Sequence, residues 1–210
     1  MNGVAAILVK DSAEGKSRLA SALLQGERVK LVEAMLKDIH KVLRNSGIET
    51  VLVGGERYAP VLGVRCISDP GEGLNAAIEA AKRYALIHQY QSLIILPCDI
   101  PLINEADIGA IIEASRESSI VLSPTQRGGT AVLLLKHPFD YRTQYGHDSF
   151  SKHVREAKNK GHRFVIYESE NLQLDIDLLE DLKRLMELDV KCETLTFLHG
   201  LTLDTRLSHD

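Results

Sequence analysis

Apolar runs of strand length alternate along this chain with stretches whose apolar residues recur at helical spacing. GVAAILV (3–9) is hydrophobic throughout, as a strand covered on both faces is. After the polar loop KDSAEGKSR, the stretch GERVKLVEAMLKDIHKVLRNSG puts Val29, Val32, Met35, Leu36, Ile39, Val42 and Leu43 on one helical face, with Gly47 as a stop. Further strands are predicted in IETVLVGG (48–55), VRCIS (64–68), SLIIL (92–96), SIVLSP, TAVLLLK and RFVIYES (163–169). Further helices are predicted over 73–89, over 104–118 with Asn104 as N-cap and Asp107 three residues on, over 149–161 opened by Ser149, and over 177–189. From Val190 the pattern gives no element; packing on a partner chain and fraying both stay open.

This alternation predicts an α/β protein in three layers, α/β/α, with a mostly parallel central sheet and SLIIL near its middle. Ligands of such sheets bind beyond the carboxyl ends of the strands. At 210 residues the expectation is a single domain over 1–210, with 190–210 as a C-terminal extension.

Composition changes this picture little: 44% hydrophobic and 26% charged residues are an ordinary globular balance. A net charge of −4 gives no support to non-specific binding of nucleic acid or of a membrane surface. Three scattered cysteines form no CxxC pair, which excludes a zinc ribbon and a disulfide framework. No apolar stretch approaches the roughly 20 residues needed to cross a bilayer. MNGVAAILVK has no basic start and reads as a strand, so a cytoplasmic location is expected.

Five stretches could carry chemistry. In SLIILPCDIPLIN, Asp99 follows an apolar strand and stands between Pro97 and Pro101, each fixing its own φ and restricting the residue before it. A carboxylate on so stiff a support suits a hard divalent cation, or opens a turn before the next helix. In LDIDLLEDL, Asp175 and Asp177 are two apart and in extended chain share a face, so a common metal is open to them. Asp177 followed by Glu180 also fits a helix N-cap with a supporting acid.

KDSAEGKSRL contains Gly-Lys-Ser but has Lys10 where a Walker A loop needs glycine, so it is no P-loop. Lys10, Lys16 and Arg18 could neutralise a polyphosphate, or form a solvated charged loop. In DPGEGLNAAIEAA, Gly71 and Gly73 allow close backbone approach before a helix N-terminus, and the Asn75 amide could read a base edge; a plain turn is the alternative. In RGGTAVLLL with YGHDSFSKH, Gly128 and Gly129 precede Thr130, while Gly146 and Ser149 open a helix able to hold an anion. His137, His147 and His153 lack the spacing of a zinc pair and read as surface or packing residues, with His153 the one that could face a site. Cys98 reads as a small buried thiol.

As an ordered set, the Lys-Ser-Arg-Leu loop, GEGLNAAI, LPCDIPL, GGTAVLLL, GHDSFSKHVREA and LDIDLLEDL resemble the 2-phospho-L-lactate guanylyltransferases of coenzyme F-420 biosynthesis, the CofC family. The likeness runs from about residue 3 to 185. It implies the Rossmann-like nucleotidyltransferase fold shared with molybdenum-cofactor guanylyltransferases. It also implies transfer of GMP from GTP to 2-phospho-L-lactate, giving lactyl-2-diphospho-5′-guanosine and pyrophosphate. Phosphoenolpyruvate or 3-phosphoglycerate are other acceptors within the family, and molybdopterin or a sugar phosphate are acceptors in the wider group. A nucleotide-binding regulatory protein is the non-enzymatic alternative.

The resemblance implies that Asp99 holds Mg²⁺ with one of Asp175 and Asp177, more readily Asp177. Lys16, with Lys10 and Arg18, would contact the triphosphate, and Gly73 to Asn75 would surround guanine. Thr130, Gly146 and Ser149 would hold the acceptor. A homodimer through the C-terminal segment is a further expectation. A phosphate oxygen is already ionised at neutral pH, so such a transfer rests on alignment and charge neutralisation. The lack of a Ser–His–Asp or Cys–His set in the chain agrees with this.

Overall fold

The computed structural model describes residues 2–10 and 16–201. Seven strands form one sheet: β1 (Gly3–Leu8), β2 (Glu49–Val53), β3 (Arg65–Ile67), β4 (Ser92–Pro97), β5 (Ile120–Pro124), β6 (Thr130–Lys136) and β7 (Phe164–Ile166). Their order is β3-β2-β1-β4-β6-β5-β7, which puts β4 in the middle as its unbroken apolar run predicts. All neighbours are parallel except β6, which runs against both β4 and β5. A short turn, 125–129, makes this reversal possible, since a parallel return needs a far longer crossover. Thr125 N–H donates to the Gly129 carbonyl at 2.9 Å, and Gly128 takes a φ of 77° that favours glycine.

Strand alternation divides the interior in two. Ala5, Ile7, Leu52, Ile94 and Leu96 face one core, which takes in α1 (Gln25–Asn45), α4 (Glu105–Ala114), α7 (Leu179–Met186) and α8 (Glu193–Gly200). Val4, Ala6, Leu8, Val51, Val53, Leu93 and Ile95 face the other, covered by α3 (Leu74–Ile87) and α5 (Ser149–Asn159). Two short helices, α2 (Ala59–Leu62) and α6 (Glu170–Gln173), complete the set. The three-layer α/β/α architecture is therefore the one the sequence predicts. Asn104 caps α4 as expected, its side chain accepting Asp107 N–H at 2.9 Å while Asp107 returns a bond to Asn104 N–H.

Two expectations change. The strand predicted over 163–169 ends at Ile166, because Ser169 and Asn171 turn inward to bond the buried carboxylate of Asp107. The segment from Val190, which the pattern left without an element, is ordered as far as Leu201. It forms α8, whose Leu195 and Leu198 are buried in the chain's own core. Its first turn is held by Asp38 of α1, which accepts Glu193 N–H (2.8 Å), Thr194 N–H (2.9 Å) and the Thr194 hydroxyl (2.6 Å). The α8 part of that segment is thus covered within one chain, and the rest of the expected dimer segment, 202–210, lies outside the described residues.

Candidate active site

The acidic stretches meet at the carboxyl rim of the sheet. Asp99 lies in the turn after β4, and its main-chain carbonyl accepts Ile176 N–H at 2.9 Å. That bond ties the 175–177 segment to the end of the central strand. Between the two carboxylates stands Lys16, whose Nζ is 2.7 Å from Asp99 Oδ2 and 2.7 Å from Asp177 Oδ1. The Lys16 side chain is only 9% exposed, Asp99 18% and Asp177 36%. Burial works against the ammonium charge, but Asp99 and then Asp177 outweigh it and hold the pKa above its ordinary value. Lys16 itself sits in left-handed backbone, φ 57°, at the end of the loop that leaves β1.

Asp175 is turned elsewhere. Its carboxylate is 2.9 Å from Arg127 Nη2, and the same guanidinium grips Asp181 with 2.7 and 2.9 Å contacts. Burial pushes the Asp175 carboxyl up, Arg127 opposes that, and the charges of Asp99 and Asp177 raise it further, so three carboxylates feel one another here. Asp181 Oδ2 also accepts the N–H groups of Asp177 and Leu178. The expected cap is thereby corrected. Helix α7 starts at Leu179, the acid bonding its first turn is Asp181 and not Glu180, and Asp177 is left with its carboxylate free for Lys16.

Of the other basic residues, Lys10 and Arg18 are exposed near this rim, and the loop residues 11–15 lie outside the described ones. Gly54, in the neighbouring loop after β2, has φ 74°, and a side chain there would collide with the carbonyl oxygen of Val9. The Cys98 thiol is pushed up to about 12, first by burial and then by Asp99, so it is a neutral packing group as expected.

The second cluster forms where β6 begins. Because β6 runs in reverse, Thr130, its first residue, comes to the same rim as the last residues of β4. Thr130 Oγ1 is 3.1 Å from Ser149 Oγ at the start of α5 and 2.9 Å from His153 Nδ1. Gly146, φ 125°, accepts Ser149 N–H at 3.2 Å and shapes the approach to that helix. Gly73 precedes α3 with φ 93°. The Asn75 amide is engaged with the loop before α5. Its Oδ1 accepts Tyr145 N–H at 2.9 Å and its Nδ2 faces the Tyr145 carbonyl at 3.4 Å, so it stitches α3 to the loop before α5.

The turn between β5 and β6 links the two clusters. Arg127 reaches Asp175 and Asp181, while the Gly128 carbonyl accepts Phe150 N–H from α5 at 3.2 Å. Sequence reasoning passed over Arg127, Asp181 and Gln144; an arginine beside two glycines after a strand was the visible sign of the first. His153 it read as packing or surface, and as the one histidine that could face the site. It is wholly buried and bonded through both ring nitrogens. Burial, then the charge of Lys82, lowers its pKa to about 4. A depression of about 490 Å³ lined by Ser115, Arg116, Lys136 and Arg163 lies at the opposite rim, away from every predicted site residue.

Among the described residues no three His, Cys, Asp or Glu side chains stand together as a metal cage. The Asp99–Asp177 pair nevertheless fits a hard cation on its own chemistry. Both donors are carboxylate oxygens, and both already converge on one positive centre, the ammonium of Lys16. An ion that keeps waters and phosphate oxygens as the rest of its shell needs no more protein ligands than that.

Comparison with known proteins places this fold among the nucleotidyltransferases. A crystal structure from Desulfovibrio desulfuricans assigned to the nucleotide-diphospho-sugar transferases superposes with a TM-score of 0.83 at 15% identity, covering 98% of this chain and 96% of that one. A nucleotidyl transferase from Methanothermobacter thermautotrophicus gives 0.65 at 19% identity over 94% and 98%. A family profile described as "Guanylyl transferase CofC like" matches residues 4–210, and the chain belongs to that family. It is 36% identical to a phosphoenolpyruvate guanylyltransferase of Rubrobacter xylanophilus, over 88% of this chain and 94% of the relative. It is 32% identical to a 2-phospho-L-lactate guanylyltransferase of M. thermautotrophicus, over 87% and 83%.

Proposed function

We propose that this enzyme transfers GMP from GTP to the phosphate of a three-carbon phospho-acid, 2-phospho-L-lactate, and releases pyrophosphate. The observation that carries the reading is Lys16 held between Asp99 and Asp177 at the carboxyl rim of the sheet, the rim to which the reversed strand brings Thr130 with its partner Ser149 of α5. A phosphate oxygen of the acceptor attacks the α-phosphorus of GTP, a P–O bond forms, and the bond to the β-phosphate oxygen breaks. No proton need be removed from the nucleophile. The residues' work is to align two anions and to neutralise their charge.

Lys16 supplies a buried positive charge for the triphosphate, with Lys10 and Arg18 at the exposed edge of the same loop. Asp99 and Asp177 would hold Mg²⁺, which when bound supplies further neutralisation of the phosphate oxygens. Arg127 and Asp181 keep the Asp177 backbone in place, and Asn75 holds the Tyr145 loop against the helix that opens at Gly73. Thr130 and Ser149, with the backbone at Gly146, take the acceptor's anionic groups.

The relative named for phosphoenolpyruvate, at 36% identity, favours that acid as a second reading of the acceptor. Pyrophosphate release from GTP with Mg²⁺ and each of 2-phospho-L-lactate, phosphoenolpyruvate and 3-phosphoglycerate tests both. The highest kcat/KM should fall on 2-phospho-L-lactate. A preference for phosphoenolpyruvate would install the second reading, and no release with any of the three would remove the first and the second together.

A further inference from the structure

His153 is presented from the second turn of α5 and is fully buried. Its Nε2 accepts the backbone N–H of Gln144 at 2.8 Å. An amide N–H can only donate, so Nε2 carries a lone pair and the single ring proton sits on Nδ1. Nδ1 in turn lies 2.9 Å from Thr130 Oγ1, which fixes the direction of that bond: the histidine donates and the threonine accepts. Thr130 and Ser149 have two hydroxyl protons between them and share one hydrogen bond, which uses one. The other is left over.

We propose that His153 is a positioning residue for the acceptor: by donating to Thr130 it orders the Thr130–Ser149 pair as a hydrogen-bond donor aimed at an anionic oxygen of the substrate. This rests on the reading that those two hydroxyls take the acceptor. With a Thr130 lone pair filled by the ring N–H, the remaining hydroxyl proton is the feature the pair offers, and an anion is its natural partner. The ring has little freedom to rotate away. Tyr141 OH donates to the His153 carbonyl at 2.6 Å, and the Tyr145 ring packs edge-on at 4.8 Å between centroids. A doubly protonated ring would set an N–H against that of Gln144, and burial beside Lys82 keeps the ring neutral.

Two substitutions separate this role from plain packing. His153→Asn keeps a donor where Nδ1 stands and loses the acceptor for Gln144. His153→Gln keeps an acceptor near the place of Nε2 and loses the donor to Thr130. With 2-phospho-L-lactate or phosphoenolpyruvate, whichever the wild type turns over, His153→Gln should raise the acceptor KM about tenfold or more, with the GTP KM unchanged, as loss of a bond to an anion-binding pair implies. His153→Asn should stay within about threefold of wild type. An unchanged acceptor KM in His153→Gln, or equal effects of the two variants, overturns the proposal.

Thr130→Val and Ser149→Ala isolate the premise. If neither raises the acceptor KM, the acceptor site lies elsewhere and the proposed function loses its geometry. If they raise it while His153→Gln does not, the relay alone is wrong. Should the histidine variants fail to fold, ¹⁵N spectra of wild-type enzyme labelled at histidine decide the matter. They should show a ring protonated at Nδ1 and bare at Nε2, with the Nδ1 signal moving on addition of the phospho-acid and not of GTP. A proton on Nε2, or signals indifferent to the acid, overturns it.

Discussion

The main-chain carbonyl of Asp99 accepts the N–H of Ile176 at 2.9 Å. Two segments far apart in sequence are thereby joined at the backbone, flanking the point where Asp99 and Asp177 share one lysine. Their side chains are placed by that splice and by Arg127 and Asp181 beneath it, and not by chance proximity on a flexible surface.

Removing the Asp99 charge should therefore be severe. Asp99→Asn is expected to lower turnover at least about 100-fold, since it removes a partner of Lys16 and, on the proposed function, a charged ligand for the cation. Asp177→Asn should behave alike, whereas Asp175→Asn, whose carboxylate is held by Arg127, should cost about tenfold or less. Pyrophosphate release at saturating GTP ranks the three.

Lys16→Met should cost about 100-fold or more in kcat/KM for GTP, because it removes the buried cation that the proposed function sets against the triphosphate. Lys16→Arg should restore little of it. A planar guanidinium does not replace a single nitrogen lying 2.7 Å from two separate carboxylates.

The knot beneath the site is structural. Asp181, with a side chain 4% exposed, accepts from Arg127 and from two backbone N–H groups. Asp181→Ala should destabilise the fold by about 3 kcal/mol, since it strands buried donors and a partly buried guanidinium. Urea denaturation measures this directly. Asp38→Ala should cost about 1–2 kcal/mol through the lost cap of α8, with faster amide exchange confined to residues 193–200 as its signature.

His153 gives the fold a pH dependence of definite sign. In the unfolded chain the ring takes up its proton near 6.5, while in the fold it waits until about 4. Between these values the unfolded state binds more protons, so stability falls as the pH is lowered through that window and shows no further loss from this group below it. The difference amounts to about 3 kcal/mol at about 1.4 kcal/mol per pH unit. Denaturation of wild type at pH 7 and pH 4.5 should show a larger loss than that of His153→Asn.

Much of this architecture was legible in the residues. Continuous apolar runs such as Leu93 to Leu96 announced buried parallel strands, and the Asn104–Asp107 pair announced its helix start. The reversal of β6 was not, because an apolar run has the same appearance in either direction. Nor was α8, which is brief and has its first turn held by Asp38, 155 residues away along the chain. At the site, Asp99 stood out through its two prolines. Asp177 was ambiguous because the same letters serve a cap or a ligand, and the deciding residue, Asp181, differs from the expected acid by one position. Arg127 and the partners of His153 were hidden for a related reason: a side chain that acts through partners made by the fold leaves no local periodicity.

The reversed strand carries a consequence for how such enzymes diversify. Lys16, Asp99 and Asp177 hang on the ends of β1 and β4 and the loop before α7, whereas Thr130, Gly146, Ser149 and His153 hang on a hairpin strand and the helix after it. On the proposed function, the nucleotide half and the acid half thus hang on different elements, linked by the β4–β6 ladder, the Asn75–Tyr145 bonds and the 125–129 turn. On that reading, changes confined to the hairpin and α5 would alter the acid that is held while leaving Lys16, Asp99 and Asp177 in place.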